Sequence, residues 1–311
     1  MGHGHHHNHN HQSSEIMEGR LKLAVGANIL LTLAQIIGGI ISGSLSLIAD
    51  ALHNFSDAAS LVIALIAIRI GKRPADSQKT FGYRRTETVS ALINLTSLII
   101  IGFYLCYEAI HRFINPEPIT GWMIIIVAGI AFIVDLFTAI LTYSQSKHSL
   151  NIRAAFLHNL IDGLASIGVI IAGVLIMLFG WVWADAAITL IIAGYVLYQG
   201  FIEFPKVVHQ LLDGTPEGIE IPDVIQKMSE IDSVSDVHHI HIWKLDEQRN
   251  ALEAHVILEN WEQVEQMEQT KFELKKLLKE QFSIEHSTLE FEKHGCLDAN
   301  NESCYDLNIK T

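Results

Sequence analysis

Six stretches of this chain are apolar and almost free of charge over lengths that suit a lipid bilayer. They cover about residues 21–42, 45–70, 86–113, 122–143, 152–179 and 183–204. As helix, at 1.5 Å per residue, each is long enough to cross a hydrocarbon core about 30 Å thick. Lipid offers no hydrogen bonds, so each backbone N–H and C=O must be satisfied within its own segment. Six such runs therefore predict a six-helix transmembrane domain over residues 20–204. The few polar side chains inside these runs then become the informative ones, because polar groups at that depth are costly and mark function by default.

The strongest of them are paired. The second run reads Leu52-His53-Asn54-Phe55-Ser56-Asp57, and the fifth repeats it as Leu157-His158-Asn159-Leu160-Ile161-Asp162. A spacing of four puts each His and Asp on one helix face, one turn apart. Two imidazoles and two carboxylates supply the four N/O ligands of tetrahedral zinc. The complex is also electrically neutral, which greatly lowers the cost of desolvating a divalent ion. Mixed imidazole and carboxylate suits zinc and its neighbours, whereas magnesium or manganese favours all-oxygen sites. Two copies on helices of opposite direction suggest an inverted repeat with a site near the midplane. Zinc needs these groups deprotonated, so exchange of metal for protons follows from the same four residues. The plainer alternative is that each pair is a satisfied interhelical hydrogen bond.

Other polar positions are less specific. Asn28 and Gln35, seven apart in the first run, share a face that is expected to look inward. Asp50 lies two turns from Asp57 and either lines an exit path or caps the second helix. Asp135 is a lone carboxylate in the fourth run and a candidate for lining the same cavity. Asp185 is expected to serve the start of the sixth helix, where the dipole favours a carboxylate.

Loop charges set the expected orientation. Lys72, Arg73, Lys79, Arg84 and Arg85 lie between the second and third runs, and Lys147 and Arg153 between the fourth and fifth, while the alternate loops carry no Lys or Arg. The positive-inside rule then puts both termini in the cytoplasm. Residues 1–19 open with Gly, His and Asn rather than a charged start and an apolar core, so no signal peptide is expected. This His-rich tail reads either as an expression tag or, being interrupted by Gly and Asn, as a native metal-gathering segment.

Past Pro205 the composition becomes that of a soluble domain. Residues 221–231 and 262–282 have helical periodicity, and 234–245, 251–259 and 287–293 alternate like strands. An α-β-β-α-β order over 205–293 predicts a small α+β domain with helices on one face of a sheet. A polar tail follows over 294–311. The net charge of −13 argues against a nucleic-acid partner, and three cysteines, one in an apolar run (Cys106), do not suggest a disulfide scaffold. No Gly-x-x-x-x-Gly-Lys-Ser/Thr loop supports an ATP-driven pump, and no His-Glu-x-x-His supports a protease. The alternative to a transporter is a membrane-anchored metal sensor.

The paired His-Asn-x-x-Asp motifs, Phe81-Gly82-Tyr83-Arg84-Arg85-Thr86-Glu87 and His238-His239-Ile240-His241-Ile242-Trp243 together resemble the cation diffusion facilitators. The resemblance covers nearly the whole chain and is closest to the zinc branch, with its bacterial zinc exporters and vertebrate vesicular zinc transporters. It implies a homodimer in the lipid bilayer, multi-pass and in the bacterial inner membrane. Such a transporter, not an enzyme, exports Zn²⁺ (or Cd²⁺, Co²⁺ or Fe²⁺) in exchange for protons through His53, Asp57, His158 and Asp162. It also implies a metallochaperone-like, ferredoxin-like cytoplasmic domain whose regulatory zinc is held by His238, His255 and Glu292. Strict alternation disagrees, placing His239 and His241 on one sheet face and His238 on the other with Ile240 and Ile242. A bulge near the strand start would turn His238, and the motif match is preferred here. His241, Cys296 and Cys304 are further candidate ligands, although relatives with a binuclear tail site have a closer cysteine pair. Between the second and third runs there is Asp76 but no His, so the loop zinc site of some bacterial relatives is not expected.

Overall fold

In the computed structural model of the chain, the described residues are Gly26, 29–146, 150–246, 249–259 and 264–293; residues 61, 141–142, 144–146, 150–155 and 158 are described in their backbone only. Asn28, the His-rich tail, Cys296, Cys304 and the rest of the polar tail lie outside the described residues. The described residues fall into two compact units. One holds those up to 64 together with 93–204, and the other holds 65–92 together with those from 205 on.

The apolar runs are helices: α1 (Ile29–Ser42), α2 (Leu45–Gly71), α3 (Thr86–Ile114), α4 (Gly121–Ser146), α5 (Leu150–Phe179) and α6 (Trp183–Leu211). Among the described residues, α2 to α6 each contain a span long and apolar enough to cross a membrane, and α1 is shorter. The faces that meet inside the first unit carry Leu47, Ala49, Leu105, Ala109, Ile124, Ala128, Val169 and Ala193, all buried. The opposite faces keep Ile100, Ile133, Leu164 and Ile191 exposed, as helices bathed in lipid should. α4 and α5 meet at a glycine pair. A Cβ on Gly121 would stand 2.8 Å from the Gly173 carbonyl oxygen, too close for any side chain. Small residues at such crossings let backbones meet where no hydrophobic effect drives association.

The start of α2 is fixed from two sides. Ser44 is its N-cap, and the Ser44 hydroxyl accepts the Leu47 N–H at 3.2 Å. The next two orphan donors are taken by Asp185, which accepts the Leu45 N–H at 2.7 Å and the Ser46 N–H at 3.2 Å. The hydroxyls of Ser44 and Ser46 also donate to Asp185, at 2.6 and 2.5 Å. The carboxylate sits in the first turn of α6, yet its hydrogen bonds go to the N-terminus of α2. That differs from the expected service to its own helix, and the reason is that α2 presents four donors in one place. Gly43, at φ +72°, makes the turn before this cap. A Cβ there would meet the Pro118 carbonyl oxygen at 2.9 Å.

α6 also departs from expectation at its other end, running through Pro205 to Leu211 rather than stopping at Phe204. Proline removes one N–H bond from the ladder. Val207, Val208 and Leu211 are half-buried and continue an apolar stripe at helical spacing, which carries the helix past that loss.

In the second unit, α7 (Ile221–Ser229), β1 (Val234–Lys244), β2 (Asn250–Leu258), α8 (Val264–Phe282) and β3 (Ile284–Glu292) follow in the expected order. The sheet order is β1-β2-β3, antiparallel then parallel. Val224 and Met228 of α7 and Leu274 and Leu278 of α8 pack with Val237, Ile240, Ile242, Leu252, Ala254, Val256 and Ile284 in one core. Both helices therefore cover the same sheet face. β3 opens at Ile284, three residues before the alternation predicts, because Ile284 is itself buried in that core.

Asp185→Ala should lower the melting temperature of the detergent-solubilised protein. The loss is a cap worth about 1 kcal/mol plus hydrogen bonds to a charged group worth about 1.5–3 kcal/mol each. An unchanged melting temperature would show that α2 does not need this carboxylate.

Candidate metal sites

In the first unit, His53 and Asp57 face Asp162 across α2 and α5. His53 Nε2 lies 3.7 Å from Asp57 Oδ2 and 3.4 Å from Asp162 Oδ1. The side chains of His53 and Asp162 are mostly buried, and that of Asp57 is about one third exposed, at 32%. Zinc bonds of about 2.0–2.1 Å in a tetrahedron give ligand–ligand edges of roughly 3.3 Å. The two measured separations are close to that edge, so His53 is placed to share an ion with either carboxylate. The α5 backbone carries His158 one turn before Asp162; its side chain lies outside the described residues.

A second polar layer adjoins this one. Asp50, one turn before His53 and fully buried, accepts the Gln35 amide at 2.6 Å and the Ser166 hydroxyl at 3.4 Å. Gln35 in turn accepts from Asn54 Nδ2 at 3.1 Å. Ser166 stands 3.3 Å from Asp135 Oδ2, so Asp50 and Asp135 share one hydroxyl. Asp50 does not cap α2, a role taken by Ser44 and Asp185. Gln35 faces inward as its position predicts. Ser166 was not singled out in the sequence, though it sits four residues after Asp162, on the motif face of α5. That spacing was the available signal.

In the second unit, His238, His255 and Glu292 converge, each offering one ligand atom within 4.8 Å of the others. Glu292 lies 3.3 Å from His238 Nε2 and 2.7 Å from His255 Nδ1. The convergence depends on a break in β1. The pairing of β1 with β2 shifts between His238 and His241, and His239 takes φ +49°. This β-bulge inserts one residue, so Val237 and Ile240 both reach the core while His238 turns to the open face. There it is register partner to His255, and His241 to Glu253. Strict alternation had put His238 with Ile240 and Ile242; the bulge reverses that. His241 is on the open face but outside the three-residue cluster, its ring edge-on to His239. Burial, then the neighbouring imidazoles of His255 and His241, hold His239 below the usual histidine range.

Two carboxylates complete the surroundings. Asp236 Oδ2 lies 3.3 Å from His238 Nδ1, and Glu290 Oε2 lies 3.7 Å from His255 Nε2. Each imidazole thus has a carboxylate near either nitrogen, close enough to orient the ring if a metal occupies the other side. Neither residue was marked in the sequence, although each lies two residues before a marked one in its strand.

Residues 21–212 match the cation efflux transmembrane domain and residues 216–294 match the cytoplasmic domain of cation efflux proteins. The chain is 37% identical to the cadmium, cobalt and zinc/H⁺-K⁺ antiporter of Bacillus subtilis (strain 168), over 83% of each chain. It is 35% identical to the metal cation efflux system protein CzcD of Cupriavidus metallidurans, over 91% of this chain and 89% of that one. With the zinc transporter ZitB of Escherichia coli (strain K12) it shares 33% identity, over 89% and 88%.

His255→Ala should remove one zinc ion from the full-length protein at saturation, and Asp236→Asn should weaken binding there about tenfold. Calorimetric zinc titration checks both; unchanged binding in His255→Ala would refute the ligand set.

Proposed function

The chain belongs to the cation efflux family, and from that premise we propose that it exports Zn²⁺ from the cytoplasm in exchange for protons. The observation that carries this reading is that His53 of one apolar helix lies beside both Asp57 of its own helix and Asp162 of another. The spacing suits zinc, and His158 completes the set of four by its place in the repeated motif. Cd²⁺ and Co²⁺, named for the Bacillus relative, suit the same borderline ligands. The buried layer of Asp50 and Asp135 is assigned to the ion pathway. The His238, His255 and Glu292 cluster would hold a zinc ion that stabilises the cytoplasmic domain rather than one in transit. Imidazole and carboxylate donors at these separations fit such an ion. The domain match at 216–294 supports a homodimer, and the loop charges support cytoplasmic termini in a bacterial inner membrane.

Exchange follows from the charge balance of the transport site. Asp57 and Asp162 both lie beside His53 within an apolar surrounding, where two ionised carboxylates repel more strongly than in water. Imidazoles also titrate near neutral pH. Zinc binds only the deprotonated groups, so its arrival releases whatever protons they held. Alternate opening to the two sides then lets an inward proton gradient drive zinc outward.

Asp57→Ala or Asp162→Ala should reduce zinc flux into proteoliposomes by at least about a hundredfold, since each leaves a buried ion undercompensated by roughly 3–5 kcal/mol. Flux near the wild-type value in a folded variant would sink the site assignment.

An acidic lumen should accelerate zinc entry into proteoliposomes, and zinc entry should alkalinise that lumen. Zinc flux indifferent to the gradient, with no lumenal pH change, would leave facilitated diffusion as the better account.

A further inference from the structure

The second unit contains a basic cavity that neither metal site uses. It encloses about 510 Å³ between the α2–α3 connection and the β1–β2 and β3 edge of the sheet. Lys72, Arg73, Arg84 and Arg249 line it with His286, against the single carboxylate of Glu285. Just behind the wall, Asp246 accepts from Arg84 Nη1 at 3.1 Å and from Arg249 Nε at 2.8 Å. The Asp246 side chain is only 9% exposed, so it fixes both guanidiniums while each keeps further N–H donors for a ligand. Lys72 and Arg73 are exposed and enter neither of these ion pairs. Four cations face the carboxylates of Glu285, of Asp246 behind the wall and of Glu87 beside Gly71, which leaves an excess of about one positive charge.

The loop that carries these residues is shaped in advance. Asp76 accepts from the Gln78 and Lys79 N–H groups, both at 2.8 Å, and from the Tyr83 hydroxyl at 2.6 Å. Gly82, at φ +80°, turns the chain inside the cavity lining. Phe81 stands on the rim, 60% exposed, with its ring edge-on to His286 at 5.6 Å.

We propose that this cavity binds the phosphate of an anionic phospholipid headgroup, joining the α2–α3 connection to the C-terminal sheet. Planar guanidiniums in a fixed fork suit phosphate oxygens, and the excess charge matches one phosphodiester. Lipid is favoured over free phosphate by position. Gly71, the last residue of the membrane-crossing helix α2, lines the cavity, so the site lies where hydrocarbon gives way to headgroups. An exposed phenylalanine at that level is suited to the interface. The cytoplasmic leaflet, which carries anionic lipid, attracts such basic segments; this placement rests on the orientation proposed above.

The test uses the full-length protein in neutral detergent with three probes: dioctanoyl phosphatidylglycerol, dioctanoyl phosphatidylcholine and inorganic phosphate. Binding is read by calorimetry and by the shift in melting temperature. Phosphatidylglycerol should bind and raise the melting temperature, phosphatidylcholine should not, and the Lys72→Gln/Arg73→Gln double variant should bind phosphatidylglycerol about tenfold more weakly. The variant leaves the Asp246 clamp in place, and its melting temperature without lipid reports its folding. Should it misfold, Lys72→Gln alone should still weaken binding. Equal binding of the two lipids, or undiminished phosphatidylglycerol binding in a folded variant, would overturn the proposal. Inorganic phosphate binding as tightly as phosphatidylglycerol would make this a free-phosphate site and overturn the lipid assignment. Zinc flux is measured in parallel: lost flux with retained lipid binding counts against the transport reading alone.

Discussion

A carboxylate inside an apolar helix bundle has to be answered by something, and the first unit is arranged around those answers. Asp185 is met by two backbone N–H groups and two serine hydroxyls at the head of α2. Asp50 is met by Gln35 and Ser166, and Asp57 and Asp162 both lie beside His53. Burying an uncompensated carboxylate would cost several kcal/mol, so each of these contacts constrains which helices can be neighbours. Asp185 joins α6 to α2, Ser166 joins α5 to α2 and to α4, and His53 joins α2 to α5.

These answers differ in kind, and the difference matters for transport. The cap at Asp185 is a fixed set of donors with no reason to change during a cycle. The contacts of His53 with Asp57 and Asp162 depend on protonation, because a neutral imidazole donates from one nitrogen and accepts at the other whereas an imidazolium donates from both. A divalent ion placed among the three groups would replace one form of compensation with another. The proposed exchange of zinc for protons is that substitution carried through the membrane.

The cytoplasmic site reaches a similar donor set by a different route. No helix spacing brings His238, His255 and Glu292 together; cross-strand register does. His238 and His255 are partners on adjacent strands, and Glu292 pairs with Ile257, two residues along β2 from His255. The bulge at His239, with its left-handed φ, is the strained point that lets Val237 and Ile240 both enter the core. Strain of this kind concentrates at functional sites, and the residue that bears it adjoins a proposed metal ligand.

The sequence by itself determined the six apolar helices, the α-β-β-α-β order and the paired motifs on α2 and α5. Each of these rests on local rules: hydrocarbon thickness, a period of two or 3.6, and an i,i+4 spacing within one helix. The inward face of Gln35 was legible for the same reason. Local rules could not say that Asp185 caps a helix 140 residues away, that Ser166 bridges two carboxylates, or that Asp236 and Glu290 flank the histidines. They could not continue α6 through Pro205 either, because a proline's local penalty reads as a stop. The face of His238 was the sharpest case. Alternation fixes a strand's faces only while the ladder is regular, and one inserted residue reverses every face beyond it. Whether that residue is inserted is decided by how β1 pairs with β2 and packs on the core, and only the tertiary structure holds that information.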